Sequence, residues 1–188
     1  MAGRAAVFID GGYLDKVLQE DFASPHIAYD KLVVALTQTK DLFRTYYYHC
    51  PPYQSNPPTS EESKRYGRKH AFFTRLSLLP SFEVRLGRLV KQGYDEKGRP
   101  IFIQKRVDCM IAVDMVLLAA KRQVTHIELI SGDSDFVPAV EAVKRESVVV
   151  TLWHGNFQGK TSPSRDLYKT CDDRQPITRD LISRILRT

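Results

Sequence analysis

Residues 125–146 read "THIELISGDSDFVPAVEAVKRE", which predicts a strand, a short acidic turn and a helix, in that order. The apolar run that ends at Ile130 is typical of a buried strand. Pro138 is compatible with the helix because it falls in the first turn. A strand followed directly by a helix is the repeating unit of α/β proteins, so this stretch predicts an α/β domain with a mainly parallel sheet.

The same alternation of strands and helices extends along the chain in both directions. Further strands are predicted at Ala5–Asp10 ("AAVFID"), Leu42–His49 ("LFRTYYYH") and Ser147–Trp153 ("SVVVTLW"). Helices are predicted at Leu14–Gln19, Ala28–Gln38, Thr59–Leu79, Val107–Ala120, Asp135–Glu146 and, at the end of the chain, about 176–187. We therefore expect a central, mainly parallel sheet flanked by helices, in a single domain spanning residues 1–188 with its core between residues 5 and 155.

Three of these segments carry more specific expectations. Thr59 and Glu62 have the spacing of a capping box, which marks the start of a basic helix. The helix at 107–120 is apolar on nearly every face, so we expect it in the interior. Residues 82–105 alternate apolar and polar side chains around a Lys97-Gly98 turn, which predicts an inserted β-hairpin.

The positive charge is concentrated in the middle of the chain. Residues 64–106 contain twelve Lys and Arg against three acidic residues, although the whole chain has a net charge of only +6. A local excess of this kind suggests a polyanionic partner such as nucleic acid, although a solvated basic surface is an equally simple interpretation. Aromatic residues lie between the basic ones, as in proteins that stack on bases, but Phe72 and Phe73 fit the core better.

Composition also excludes several classes of protein. No apolar run approaches the roughly 20 residues that a transmembrane helix needs, so no membrane partner is expected. The first residues reach Asp10 too early to form the apolar region of a secretory signal. The three cysteines are odd in number and far apart, which argues against a disulfide framework and against a zinc site of the CxxC type. A reducing, cytoplasmic location is therefore expected.

Four carboxylates are predicted to converge at one edge of the sheet. Asp10 ends the first strand, Asp133 and Asp135 follow a later strand, and Asp108 begins a helix. Ligands of open parallel sheets bind beyond the carboxyl ends of the strands. Converging carboxylates repel one another unless a cation or protons neutralise them, and all-oxygen ligands favour Mg²⁺ or Mn²⁺ over zinc. The alternative is structural, because each aspartate is also a good helix cap or turn residue.

Three further positions bear on this site. Asp114 lies on the apolar helix, and a buried carboxylate is costly unless it is paired or bound to a metal, so it is either an auxiliary group or part of an ion pair. Lys105 and Arg106 immediately precede the Asp108 helix and are candidates for contacting a phosphate, or for a solvated strand end. Arg68 and Lys69 on the basic helix are further candidates for binding substrate.

Three blocks of sequence resemble a known family. They are "AVFIDGGYL" (residues 6–14), "QKRVDCMIAVDMVLLA" (104–119) and "HIELISGDSDFVPAVEAVK" (126–144), which together are similar to the NYN domain and to its LabA-like branch. That family is part of the PIN-like nuclease superfamily. The resemblance covers nearly the whole chain and implies a Rossmann-like PIN fold with a metal-dependent endoribonuclease site.

The resemblance also assigns roles to individual residues. It implies Asp10, Asp108 and Asp133 as ligands of Mg²⁺ or Mn²⁺, with Asp135 as an additional catalytic acid. It implies auxiliary roles for Asp114 and Ser131. One position departs from the pattern, because many relatives have asparagine where this chain has Tyr13.

The leading hypothesis is therefore a Mg²⁺- or Mn²⁺-dependent nuclease that acts on RNA in preference to DNA. The alternative is a non-catalytic nucleic-acid-binding or regulatory module with the same fold, and Tyr13 is the feature that points to it. A Toprim, glycosyltransferase or haloacid-dehalogenase-type site is disfavoured, because the first strand ends in Asp10 rather than in the glutamate or DxD that those classes need. The oligomeric state is open, and a homodimer is compatible with the sequence.

Overall fold

The structure is a computed structural model, and it describes residues 3–187. Eight strands run through these residues: β1 (Arg4–Asp10), β2 (Asp41–His49), β3 (Phe82–Leu86), β4 (Arg88–Tyr94), β5 (Pro100–Lys105), β6 (His126–Ile130), β7 (Val149–His154) and β8 (Asp173–Pro176). Seven α-helices connect them: α1 (Gly11–Phe22), α2 (Tyr29–Thr37), α3 (Ser60–Ser77), α4 (Val107–Ala120), α5 (Val137–Arg145), α6 (Arg165–Thr170) and α7 (Arg179–Arg184). A 3₁₀ turn at Ser134–Phe136 precedes α5.

Six strands form one parallel sheet in the order β3-β2-β1-β6-β7-β8, and β4 pairs with β5 as a separate antiparallel hairpin. This architecture confirms the predicted α/β fold with helices around a parallel sheet and an inserted hairpin. The strand order reverses between β1 and β6, where Ile9 lies opposite Ile130. A reversal of this kind opens a crevice beyond the carboxyl ends of the strands, where open α/β sheets bind ligands.

The core lies on both faces of the sheet. One layer packs against α4 and α5, and the other against α1, α2, α3 and α7. Residues 5–9 of β1 are fully buried, as expected for a parallel strand covered on both sides. Glu128 is the charged exception in β6: Trp153 donates its indole N–H to Oε2 at 2.7 Å, and the Lys40 ammonium lies 3.0 Å from Oε1.

The predicted capping box at the start of α3 is confirmed. Glu62 donates its backbone N–H to Oγ1 of Thr59 at 3.2 Å, and the Glu62 carboxylate accepts the Thr59 N–H at 2.8 Å. Phe73 is buried and Phe72 packs against the same layer of the core, so these two aromatics belong to the fold, as the sequence suggested. This packing fixes which side of α3 carries its basic residues.

The segment predicted as the first arm of the hairpin is divided into two strands at Gly87. Its first part, β3, joins the parallel sheet beside β2, and the hairpin begins only at Arg88. Gly87 donates its N–H to the carbonyl of His49 at 2.8 Å. A Cβ at Gly87 would lie 2.6 Å from the carbonyl oxygen of Lys105 and 3.0 Å from Sγ of Cys50. The glycine therefore allows the root of the hairpin to approach the body of the protein closely.

The prediction that α4 is an interior helix was wrong for one of its faces. Ile111 and Met115 are fully buried, but Val113 and Leu117 are 49% and 47% exposed. The apolar sequence shows that burial of the helix is favourable, but it does not show which elements pack against it. The exposed face with Val113 and Leu117 therefore could not be predicted from the pattern.

The C-terminal segment also differs from the prediction. The helix predicted at about 176–187 is shorter, Arg179–Arg184, and the preceding residues Asp173–Pro176 form the edge strand β8. Ile177 and Leu181 are buried as expected, whereas Leu186 is 42% exposed. The polar sequence of β8 gives no strand signal, because its place in the sheet comes from backbone pairing with β7.

Candidate functional site

Asp10 lies at the carboxyl end of β1 and is the N-cap of α1. Its Oδ1 accepts hydrogen bonds from the N–H groups of Gly12 at 3.0 Å and Tyr13 at 3.1 Å. Gly11 is needed in this turn because a Cβ there would lie 2.5 Å from the side chain of Tyr47. The capping role that the sequence left open is therefore present. It uses only one of the two carboxylate oxygens, so capping does not prevent Asp10 from binding a cation.

Asp133 lies just beyond the neighbouring strand β6 and caps the 3₁₀ turn. Its Oδ1 accepts the N–H of Asp135 at 3.0 Å, and its own N–H donates to Oγ of the fully buried Ser131 at 3.4 Å. Asp133 and Asp135 are themselves exposed. Ser131 thus holds the backbone of the turn, while the two carboxylates remain accessible from solvent.

Asp108 lies in the first turn of α4, whose N-cap, Arg106, has a left-handed backbone with φ of 80°. Burial raises the pKa of the Asp108 carboxyl, and the charges of Asp133 and Asp135 raise it further. Helix α4 contacts the 3₁₀ turn that follows β6, and this contact brings Asp108 within electrostatic reach of Asp133 and Asp135. The structure therefore brings α4 and the β6 loop together as the sequence predicted.

The carboxyl of Asp10 has a pKa raised to about 6. Burial is the largest cause, the hydrogen bonds from Tyr13 and Gly12 oppose it, and the charge of Asp108 adds to it. Asp10 therefore interacts with Asp108, and Asp108 interacts with Asp133 and Asp135. A carboxyl group whose pKa is raised by neighbouring carboxylates lies in an environment in which a cation is favourable.

The donor atoms of this group fit a hard cation. Carboxylate oxygens from three segments approach the crevice at the reversal point of the sheet, and they suit Mg²⁺ or Mn²⁺ rather than zinc. Within residues 3–187, no group of three or more His, Cys, Asp or Glu side chains is arranged so that it could hold a metal ion by itself. The residues that could contribute to a cation site here are Asp10, Asp108 and Asp133, and Mg²⁺ usually completes its coordination with water and substrate oxygens.

A second polar cluster, which the sequence did not predict, lies beside Asp10. Oδ2 of Asp15 lies 3.0 Å from Nε2 of His49 and 2.7 Å from Nζ of Lys69. Burial tends to raise the pKa of Asp15, but these two partners outweigh it and lower the pKa overall. Nδ1 of His49 lies 2.7 Å from the carbonyl oxygen of Cys50, so both ring nitrogens face oxygen atoms.

No sequence signal could have found this cluster, because its members come from α1, the end of β2 and α3. Lys69, expected to bind substrate, is held instead by Asp15. Arg68, its neighbour on α3, is exposed, and so is Arg106 at the start of α4. Of the basic residues predicted to contact substrate, Arg68 and Arg106 are therefore exposed, whereas Lys69 forms a partly buried ion pair with Asp15.

The hairpin brings Gln104 towards Asp10. A Cβ built on Gly12 would lie 3.3 Å from Nε2 of Gln104 and 3.4 Å from Oδ1 of Asp10. Side chains alternate along a strand, so Lys105 points from the opposite face of β5. The sequence singled out Lys105, which is exposed, and missed Gln104 as the hairpin side chain beside the carboxylate.

Asp114 is engaged in a separate pair. Its Oδ2 accepts the hydroxyl of Tyr48 at 2.7 Å and its Oδ1 accepts Nη1 of Arg85 at 3.0 Å, while its side chain is 12% exposed. Both oxygens therefore have partners within the fold. Of the two roles that the sequence left open, the structure supports the ion pair, with Arg85 as the charged partner and Tyr48 as a hydrogen-bond donor.

Tyr13 points away from the carboxylates into the neighbouring loop. Its hydroxyl donates to the carbonyl of Thr161 at 2.7 Å and accepts the N–H of Gly155 at 3.0 Å. Burial raises the pKa of Tyr13 to about 12, although the bond from Gly155 opposes the shift. The residue that replaces the family's usual asparagine thus connects α1 to the loop after β7.

Comparison with known proteins identifies the family and agrees with the fold. A family model described as the NYN domain matches residues 4–178. The crystal structure of a protein of unknown function from Vibrio parahaemolyticus is similar to this chain with a TM-score of 0.64 and 22% identity, over 99% of this chain and 97% of that one. No curated protein matches the chain. Within residues 3–187, no helix has the length and apolar character needed to cross a membrane.

Proposed function

Because the chain belongs to the NYN domain family, which is part of the PIN-like nuclease superfamily, we propose that it is a Mg²⁺- or Mn²⁺-dependent nuclease that hydrolyses phosphodiester bonds in RNA. One observation carries the proposal. Carboxylates from β1, α4 and the loop after β6 come within electrostatic reach of one another at the crevice where this type of sheet binds ligands. Endonucleolytic action and the LabA-like branch are expectations from the resemblance and remain predictions.

In this proposal each carboxylate has a defined task. Asp10, Asp108 and Asp133 hold the divalent ion, which when bound neutralises charge on the phosphodiester and makes water a better nucleophile. Asp135 orients the attacking water from the neighbouring turn. Ser131 keeps Asp133 in place through its bond to the Asp133 backbone. The exposed carboxylates are accessible to a substrate as large as RNA.

The basic part of the chain supports a polyanionic substrate. Both α3 and the hairpin carry five basic residues against two acidic ones, and the hairpin lies next to the site through Gln104. Lys105, Arg106 and Arg68 are exposed and available to contact phosphates. We assign them to substrate binding, and we assign Lys69 to holding Asp15 in place.

Cleavage assays on single-stranded RNA and DNA with Mn²⁺, Mg²⁺ or EDTA test the proposal. We expect RNA cleavage that requires the metal and is abolished by Asp10→Asn and by Asp133→Asn. Asp41→Asn is the matched control, because Asp41 is exposed at the opposite end of the sheet. Circular dichroism and thermal melting establish that the variants fold. Unchanged cleavage in both site variants would contradict the proposed role of the carboxylates.

A second candidate function is a non-catalytic nucleic-acid-binding or regulatory module. The observation that favours it is that Tyr13 directs its hydroxyl to the loop after β7, so this position offers no polar group to the carboxylates. In that case RNA binding would weaken as salt increases, and neither Mn²⁺ nor Mg²⁺ would produce cleavage.

Two finer expectations also remain proposals. The cysteines, Cys50, Cys109 and Cys171, are free thiols, which is consistent with a reducing cytoplasm. A homodimer is proposed on the sequence alone, and light scattering during gel filtration measures the mass in solution directly.

A further inference from the structure

A groove separates the proline-rich loop after β2 from the root of the hairpin. It is formed by residues 51–54 on one side and residues 87–89 on the other, and its volume is about 210 Å³. We call it the proline groove. Pro51, Pro52 and Leu89 contribute apolar side chains to it, Tyr53 adds an aromatic ring, and Gln54 and Arg88 add a polar group and a positive charge. The sequence did not predict a binding site at these residues, and they are not part of the carboxylate site.

The loop side of the proline groove is held in place by contacts with its surroundings. The ring of Tyr53 packs on Phe102 of β5, with ring centroids 4.9 Å apart. Arg65 of α3 donates to the carbonyl of Tyr53 at 3.4 Å, and Ser55 donates its hydroxyl to the carboxylate of Glu62 at 2.6 Å. A binding surface that is already ordered loses little conformational entropy when a ligand binds. The loop side of the groove is therefore preorganised for binding a ligand.

The proline groove adjoins the carboxylate site. Gly87, at the base of the groove, lies close to the first residue of α4. A Cβ on Gly87 would lie 2.7 Å from the side chain of Val107. Asp108 is the next residue. Arg88 lies opposite Lys105 in the hairpin ladder, and both are exposed, so two positive charges lie at the root of the hairpin beside the groove.

We propose that the proline groove binds the base of a nucleotide next to the phosphodiester that is cleaved. The base stacks on Tyr53 against the proline wall, and Arg88 with Lys105 binds the adjoining phosphate. The occupant is an unpaired base, since the faces of a paired base are covered by its neighbours in the helix, whereas single-strand binding proteins use aromatic side chains as stacking surfaces. This inference rests on the proposed nuclease function for the location of the phosphate.

Charge complementarity supports nucleic acid as the occupant. The hairpin residues 88–105 carry five basic and two acidic side chains, and Asp95 among the acidic ones is paired with Arg99. Residues 50–58 of the proline loop carry no charge. An apolar and aromatic wall facing a basic one matches a base attached to a phosphate.

Binding measured without turnover tests the inference. The full chain in EDTA is titrated into a fluorescently labelled, unstructured RNA of about 12 nucleotides, and separately into the duplex of the same sequence. We expect Tyr53→Ala to weaken single-strand binding by about tenfold, as the loss of one stacked base does. Tyr53→Phe keeps the ring and should bind like the wild type. Tyr94→Ala is the matched control, because Tyr94 is 63% exposed at the far end of β4.

Each result supports or overturns the inference. The inference is supported if Tyr53→Ala weakens binding to single-stranded RNA but not to the duplex, and if Arg88→Gln weakens single-strand binding to a smaller extent. The inference is overturned if Tyr53→Ala binds the single strand with wild-type affinity, or if Tyr53→Ala weakens binding to the duplex as much as binding to the single strand. It is also overturned if the wild type does not bind the RNA. If no metal gives cleavage but Tyr53→Ala still weakens binding, the groove stands and the nuclease proposal falls. If cleavage depends on Asp133 but Tyr53→Ala binds normally, only the groove proposal falls.

Discussion

The ring of Tyr13 lies directly against the backbone of Gly132. A Cβ on Gly132 would overlap Cε2 of the ring and would lie 2.9 Å from Cζ. Tyr13 lies in the first turn of α1, the helix that Asp10 caps, and Gly132 immediately precedes Asp133. This contact therefore sets the spacing between the two strand ends that carry the candidate ligands.

Gly132→Ala is expected to displace the Asp133 turn. The ring of Tyr13 is rigid and cannot move aside without breaking the hydrogen bonds of its hydroxyl group to Thr161 and Gly155. We expect cleavage to fall by roughly 100-fold, as for other small displacements of a site, with a much smaller change in melting temperature. Gly67→Ala on α3 is the control, since a Cβ there meets nothing within 4 Å. Normal activity of Gly132→Ala would show that the spacing of the two strand ends does not matter.

Tyr13→Phe separates packing from hydrogen bonding at the same contact. Without the hydroxyl, the N–H of Gly155 and the carbonyl of Thr161 lose a partner, which should cost about 1–3 kcal/mol of unfolding free energy in urea denaturation. Activity per folded molecule should stay near that of the wild type. A fully stable but inactive Tyr13→Phe protein would instead place the hydroxyl in the chemistry.

The raised pKa of Asp10 makes stability depend on pH when no metal is present. Its folded-state pKa of about 6 exceeds the ordinary value of 3.8, so protonation of Asp10 favours the folded state. This contribution is complete below the unfolded pKa and is lost as pH rises through about 6. Melting temperatures in EDTA should therefore decrease over that interval, and Asp10→Asn should remove much of the decrease. Mn²⁺ should restore stability at neutral pH in the wild type only. A pH-independent difference between the two proteins would argue against the assignment.

Asp114→Asn tests whether Asp114 supports the fold rather than the metal. It removes the charge that pairs with Arg85 while keeping an acceptor for Tyr48. We expect a loss of about 1–3 kcal/mol in unfolding free energy and cleavage within a few-fold of the wild type. Glu83→Gln, which removes the more exposed partner of Arg85, should cost less. Complete inactivity of a stable Asp114→Asn protein would assign Asp114 to the site.

Lys40→Met leaves the carboxylate of Glu128 buried without its charged partner. The side chain of Glu128 is 1% exposed, so we expect a loss of about 3–5 kcal/mol in unfolding free energy. Lys121→Met, at an exposed lysine after α4, should have little effect. Adding Glu128→Gln to Lys40→Met should recover much of the loss. Independent, additive effects of the two changes would show that the ion pair is not the cause.

The sequence by itself determined the fold class, the order of most elements and the placement of three carboxylates at strand or helix ends. Those features depend on local periodicity and on turn and capping chemistry, which residues a few positions apart encode. Asp10, Asp108 and Asp133 could be singled out because each follows or begins a recognisable element, and the family resemblance added their roles. The open face of α4, by contrast, could not be read from its apolar sequence, because exposure depends on what packs against the helix.

Only the tertiary structure decided which side chains meet. Asp15, His49 and Lys69 form a cluster although they come from three elements. Gln104 of the hairpin lies near Asp10, and Asp114 pairs with Arg85. Gly87 divides a predicted single strand because of a close approach between segments distant in sequence. These contacts are non-local: they follow from the order of strands in the sheet and from the volume available between elements, neither of which a short stretch of sequence specifies.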